Sequence, residues 1–329
     1  MCLYSDNYIP NTLFMKQCIV AIFLISALFA TAQNKFRHPA GEYISVNHAK
    51  LWIEQQGSGD PIILISGGPG SAHVGMHSFD TLAGFCRLIY VDGYGRGKSD
   101  VAKDVKEYTL ERDIDDIEGI RKALDIEKIS VLGHSYGGLV AQGYALKYPN
   151  HVKKLILAST FHSFIMWQEN DDNSNHEIKE NYPEIWDTLA KLREKGLISS
   201  DTVHQEIYSQ VPYGFLYGYN PENFRRGIDA AYPNSFNTAL YYQMVGKDGD
   251  FVVGSDIGSF DYRKELKKLS MPVLIVAGRY DRVAVPRMQV LYKDYCPQAR
   301  FVMFERSGHN PQVEEKGKFY DLVKDFMIK

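Results

Sequence analysis

The sequence has little cysteine, no run of basic residues and no apolar stretch long enough to sit comfortably across a bilayer. Each shortage removes a class of protein. Four cysteines occur among 329 residues, and two of them, Cys2 and Cys18, fall in a segment that reads as a leader. The remaining pair, Cys86 and Cys296, forms neither a disulfide framework nor a metal-type spacing, so both are expected to be buried free thiols. A formal net charge of -3 with no basic cluster leaves no electrostatic footprint for nucleic acid. Internal repeats and low-complexity tracts are missing too, which sets aside repeat architectures.

The most apolar run, Ile19 to Ala30, follows Lys16 and precedes Ala30-Thr31-Ala32. It falls short of the ~20 residues of a membrane span. A basic start, an apolar centre and an Ala-x-Ala end make a secretory signal peptide, with cleavage expected after Ala32 and an upstream start region before Met15. The expectation is an exported protein, periplasmic or extracellular, with no stable membrane insertion once the leader is removed.

What is present is an ordinary globular composition, 45% hydrophobic and 13% aromatic, sufficient for a large core. "EYISV" and "KLWIEQQG" alternate apolar and polar residues, as a half-buried antiparallel hairpin would. "PIILIS" and "CRLIYVD" are short apolar runs ending in glycine-rich turns, and they read as strands buried on both faces of a parallel sheet. After Thr109 the period changes. Leu110, Ile114, Ile117 and Leu124 recur at helical spacing, with Thr109 as N-cap and Glu111 and Asp113 in the first turn. "ISVLG", "KKLILAST", "MPVLIVAG" and "ARFVMF" continue the strands, and a closing helix carries Phe319, Leu322, Val323 and Phe326. This alternation predicts a mostly parallel, doubly wound α/β sheet. Between 161 and 260 the pattern breaks into helix-like, Tyr- and Asn-rich sequence, which is read as an inserted helical cap. The domains are then 1–32 leader, 33–160 and 261–329 core, and 161–260 cap.

At the join of a buried strand and a helix stands Gly133-His134-Ser135-Tyr136-Gly137-Gly138. Serine relieves strain at such a corner less well than Gly, Asn or Asp. A hydroxyl there points to chemistry, and the pattern is that of a nucleophile elbow. Serine at its ordinary pKa is a weak nucleophile, so it needs a base that is itself oriented by an acid. The chain order in such folds, Ser then acid then His, selects Asp281 and His309, each in a turn after a predicted strand. The oxyanion formed on attack needs backbone donors. Tyr136, just after the nucleophile, offers one, and Gly68 in the Gly67-Gly68-Pro69-Gly70 loop offers the other. His73 and His77 stand four apart without a third ligand or a Glu suitably placed in the sequence, so no metal is expected. Gly93 to Gly97 lacks the Lys-Ser/Thr of a phosphate loop and reads as a tight turn. His134 is expected to pack or bond locally.

With these residues in view the sequence resembles the α/β-hydrolase superfamily across nearly all of the mature chain. Within it the sequence is similar to the proline iminopeptidase family of serine aminopeptidases. That family's oxyanion loop, its Asp-x-x-Gly-x-Gly-x-Ser turn and its Gly-x-Ser-x-Gly-Gly elbow match Ser66 to Gly70, Asp92 to Ser99 and Gly133 to Gly138. Ser66 stands where the family has histidine. "MVGKDGDFVVG" resembles a cap segment whose acidic residue binds the substrate's free α-amino group. Asp250 is the matching position, shorter than the family's usual Glu, and the resemblance leaves a second cap carboxylate unassigned. It implies a cofactor-free serine hydrolase that releases N-terminal proline or small residues from short peptides or amides. Two alternatives stay open, a carboxylesterase of small esters and a non-catalytic ligand-binding homologue. The oligomeric state is not legible.

Overall fold

A computed structural model describes residues 38–224, 232 and 235–329. The expected leader, 1–32, lies outside them. Eight strands form one sheet in the order β1-β2-β4-β3-β5-β6-β7-β8. They are β1 Gly41–Val46, β2 Ala49–Gly57, β3 Asp60–Ile65, β4 Cys86–Asp92, β5 Ile129–His134, β6 Val152–Ala158, β7 Val273–Gly278 and β8 Arg300–Phe304. β1 and β2 pair antiparallel, β2 runs antiparallel to β4, and all the other pairings are parallel. The residues 39–329 therefore contain the mostly parallel α/β sheet that the strand and helix alternation predicts.

Both faces of the sheet are covered, which is why its central strands are apolar throughout. On one face lie the helices Leu110–Ala123 and Tyr136–Lys147, packing Ile114, Ile117, Ile120, Leu139 and Tyr144 onto the strands. The other face carries the 3₁₀ stretch His73–Gly84 and the helix Lys316–Ile328, through Met76, Phe79, Phe319 and Val323. Thr109 caps the first helix as expected, its Oγ1 accepting from Arg112 N at 3.1 Å. Glu111 and Asp113 at its start, and Arg121 and Lys122 at its end, complement the helix dipole. Each isoleucine of its buried stripe contributes about 1.5–3 kcal/mol by leaving water.

Helices Phe164–Asn181, Pro183–Glu194, Thr202–Tyr208, Tyr213–Tyr217 and Thr238–Val245 occupy the interval between β6 and β7. Part of this interval has its own apolar cluster of Ile178, Val211 and Leu216, with Tyr182, Ile185 and Trp186 packed against it. Cys86 and Cys296 are both free and buried. Among the described residues no helix is long and apolar enough to cross a membrane.

Candidate active site

The parallel strands deliver their carboxyl ends to one edge, where four loops meet. At the end of β5 the chain turns sharply into the helix Tyr136–Lys147, and Ser135 sits in the turn with φ 55° and ψ -126°. That is a conformation L-residues rarely adopt, and it is held from several sides. Ser135 N donates to the Ala158 carbonyl at 3.0 Å, while the Ser135 carbonyl accepts from Gly138 N at 2.9 Å and from Thr160 Oγ1 at 2.6 Å.

The glycines around it answer to space. A Cβ on Gly137 would lie 2.1 Å from the Ile65 carbonyl oxygen, and one on Gly138 would lie 2.1 Å from Thr160 Oγ1. Only hydrogen fits at either position.

Asp281 follows β7 and His309 follows β8, as chain order predicts. Asp281 Oδ2 accepts from His309 Nδ1 at 2.9 Å, and both side chains are buried. The other carboxylate oxygen, Oδ1, is fixed by Val283 N at 2.9 Å and Ala284 N at 2.7 Å. This assigns the imidazole proton to Nδ1. His309 Nε2 is buried and makes no hydrogen bond with the described residues, so its lone pair is available as a base.

His134, next to the serine, bonds not to a chain neighbour but to the His309 carbonyl, at 2.9 Å from Nε2. The two rings stand 4.9 Å apart. Burial first, and the nearby His309 second, lower the His134 pKa to about 3, so it stays a neutral donor that seats the His309 loop beside Ser135.

The glycine loop after β3 lies against the same serine. A Cβ on Gly67 would come 2.8 Å from Ser135 Cβ, and Gly68 takes φ 93°, which glycine adopts without strain. Tyr136 is the first residue of its helix, so its N–H has no intrahelical acceptor and is free to donate.

Sequence reasoning missed the residue that clamps this loop. Arg96, in the tight turn after β4, donates from Nε to the Pro69 carbonyl at 2.5 Å and makes a bidentate pair with Asp113 at 2.8 and 2.6 Å. Tyr136 Oη donates to the same Asp113 carboxylate at 2.6 Å. One ion pair thus ties together the two segments that carry Gly68 and Tyr136.

Asp250 lies in a turn within the 161–260 interval. Its Oδ1 accepts from Tyr241 Oη at 2.9 Å, and its carbonyl accepts from Asn175 Nδ2 at 2.8 Å. Burial raises its pKa to about 6, against the lowering effect of the tyrosine and serine hydrogen bonds. A second carboxylate, unassigned from sequence, stands close by. Asp171, one turn before Asn175 on the helix Phe164–Asn181, has a buried Oδ2 with no hydrogen-bond partner. Its pKa is driven well up by burial first and by Asp250 next. Neither carboxylate forms an ion pair among the described residues.

Aromatic rings connect this acidic pair to the serine edge. Phe236 packs on Tyr241 with centroids 5.6 Å apart, and it also abuts Gly68. Tyr217 meets the His309 ring edge-on at 5.4 Å, and its carbonyl accepts from His309 N at 2.9 Å. The segment around Phe236 is laced to the glycine loop, with Asn237 N donating to the Gly70 carbonyl at 2.9 Å and Ala72 N to Ser235 at 2.8 Å. The structure therefore sets a pair of half-buried carboxylates behind the rings of Tyr241 and Phe236, the second of which abuts Gly68.

Comparison with known proteins agrees with this fold. Residues 60–316 match the model of the α/β hydrolase fold family. A proline iminopeptidase of Heyndrickxia coagulans is 29% identical over 275 residues, covering 84% of this chain and 93% of that one. A proline iminopeptidase of Saccharolobus solfataricus is 29% identical over 281 residues, covering 83% and 86%. The crystal structure of a proline iminopeptidase of Mycobacterium smegmatis superposes with a TM-score of 0.72 at 21% identity, covering 87% and 97%.

Proposed function

The chain belongs to the α/β-hydrolase fold family and is a hydrolase, and from that premise we propose that it is a serine aminopeptidase releasing N-terminal proline or another small residue from short peptides and amides. The observation that carries the reading is the pair Asp171 and Asp250, two half-buried carboxylates with no ion pair among the described residues, joined to the glycine loop through Tyr241 and Phe236. Burying such a pair without counter-charge is unfavourable unless a ligand cation completes it. A substrate ammonium does so. It would be held by charge-assisted hydrogen bonds while its own carbonyl lies over Ser135.

In the proposed reaction Ser135 Oγ attacks the carbonyl carbon as its proton passes to His309 Nε2. Asp281 stabilises the imidazolium through Nδ1, and the oxyanion is held by the N–H groups of Gly68 and Tyr136. The tetrahedral intermediate collapses, the C–N bond breaks, and His309 gives its proton to the departing amine. Water, deprotonated by the same histidine, then cleaves the acyl-enzyme and restores Ser135. No step calls on a metal or organic cofactor. Phe236, 39% exposed beside Gly68, offers an apolar face for the pyrrolidine ring. The leader pattern supports export as the protein's route.

The test is the initial rate on a fluorogenic prolyl amide, its N-acetylated twin and a short-chain p-nitrophenyl ester. Acetylation removes the ammonium and should abolish turnover of the amide. Equal rates on both amides would remove the free-amine requirement, and turnover of the ester alone would move the protein to the ester hydrolases.

A further inference from the structure

On the side of the sheet covered by the 3₁₀ stretch His73–Gly84, the fold supplies what the spacing of His73 and His77 lacks. Glu54 on β2 reads in sequence as an outward polar residue of an alternating strand, yet it is almost fully buried beside both histidines. Its Oε2 lies 3.3 Å from His73 Nε2 and 3.6 Å from His77 Nε2, and the three ligand atoms lie within 4.8 Å of one another. We propose that Glu54, His73 and His77 form a divalent metal site, with Zn²⁺ as its ion, separate from Ser135 and structural in role.

Two observations favour coordination. The first is the set of spacings. Charge-assisted hydrogen bonds between imidazole and carboxylate close to about 2.7–2.9 Å. The two Oε2 to Nε2 separations are longer, and they match the ~3.4 Å edge of a tetrahedron whose centre lies about 2.0–2.1 Å from each donor.

The second is that every donor has an outer partner that orients it. His73 Nδ1 bonds Asp92 Oδ1 at 2.8 Å and His77 Nδ1 bonds Asp80 Oδ1 at 3.0 Å, so in each ring Nε2 is the nitrogen directed at Glu54. Asp80 is fixed in turn by Tyr90 Oη at 2.5 Å. Glu54 Oε1 accepts from Trp52 Nε1 at 3.0 Å and Tyr232 Oη at 2.8 Å, so Oε2 is the oxygen presented. Carboxylate-backed histidines with a hydrogen-bonded carboxylate are the outer-shell pattern of zinc ligands. Water or another donor completes the coordination.

The position explains the role. His73 comes three residues after Gly70, and its backbone N also donates to Asp92 at 2.9 Å. An ion there would pin the exit of the glycine loop to β2 and, through Asp92, to β4. It would hold that loop from behind without touching a reacting atom.

The test is metal content and affinity of the full-length chain as purified, with Zn²⁺ itself as the probe. The proposal expects one zinc per chain by mass spectrometry, and a Tm that falls on chelation and returns with Zn²⁺. It also expects a Co²⁺-substituted form with the visible bands of a tetrahedral site. His77→Ala, at the more accessible edge, should weaken Zn²⁺ binding by more than about 100-fold, and the outer-shell change Asp80→Asn by about 10- to 100-fold. Each variant's far-ultraviolet circular dichroism checks that it is folded. A protein that binds no zinc overturns the proposal. So does one whose zinc affinity is unchanged in folded His77→Ala and Glu54→Gln, and the cluster is then a hydrogen-bonded ion-pair network.

Discussion

Replacing Asp250 with Asn should stabilise the protein at neutral pH while removing its action on free-amine substrates. The folded-state pKa of about 6 stands roughly two units above the ordinary aspartate value of 3.8, and each unit corresponds to 1.36 kcal/mol. Between pH 4 and 6 the folded chain holds a proton that the unfolded chain has lost. Stability from this group therefore falls as pH rises through that window and stays lower above it. Holding the bare carboxylate costs about 3 kcal/mol at pH 7.5, and Asn removes that cost while keeping an oxygen for Tyr241. For a chain of this size the gain is about 4–6 °C in Tm at pH 7.5, shrinking toward zero at pH 4. Losing the charged partner of the ammonium, at about 1.5–3 kcal/mol, should lower kcat/KM on a prolyl amide by about 10- to 100-fold. Scanning calorimetry at the two pH values, beside initial rates on the amide, reads both effects. A variant that melts lower at pH 7.5, or that turns over the amide at the parent rate, would refute the reasoning.

Asp281→Asn, which leaves the shape but lets His309 adopt the wrong tautomer, should lower kcat by about 10⁴ with little change in KM, as steady-state rates would reveal. Gly137→Ala puts a methyl 2.1 Å from the Ile65 carbonyl and should destabilise the fold by at least about 1–3 kcal/mol in urea melts. An unchanged midpoint would mean the turn is looser than described. Asp171→Asn should reproduce the amide-selective loss seen in Asp250→Asn. The ratio of initial rates on the prolyl amide and a p-nitrophenyl ester reads this loss, and an unchanged ratio would take Asp171 out of the amino-group site.

The fold was legible where its determinants are local. Thr109, the apolar stripe after it, and the glycines at 133, 137 and 138 announce a cap, a buried helix face and a crowded turn, because each acts on residues within a few positions. Asp281 and His309 are far apart in the chain, yet parallel strands bring their turns to one edge, so topology placed them. Asp171 and Glu54 could not be found that way. Both are carboxylates in ordinary polar surroundings, one in a helix and one in an alternating strand, and what buries them comes from segments remote in sequence. Tyr208 and Tyr241 share the pocket of Asp171, while the 3₁₀ stretch after the glycine loop covers Glu54. Arg96 escaped notice for a related reason. A glycine-rich turn gives no sign that its arginine reaches across to Pro69 and Asp113.

The central claim is that Ser135 is a nucleophile made reactive by His309, and covalent labelling tests it most directly. A fluorophosphonate probe, followed by peptide mapping of the intact and His309→Ala proteins, should place a single adduct on Ser135 in the first and almost none in the second. Prior incubation with a prolyl amide should slow the labelling. An adduct on another residue, or equal labelling of both proteins, would contradict the account.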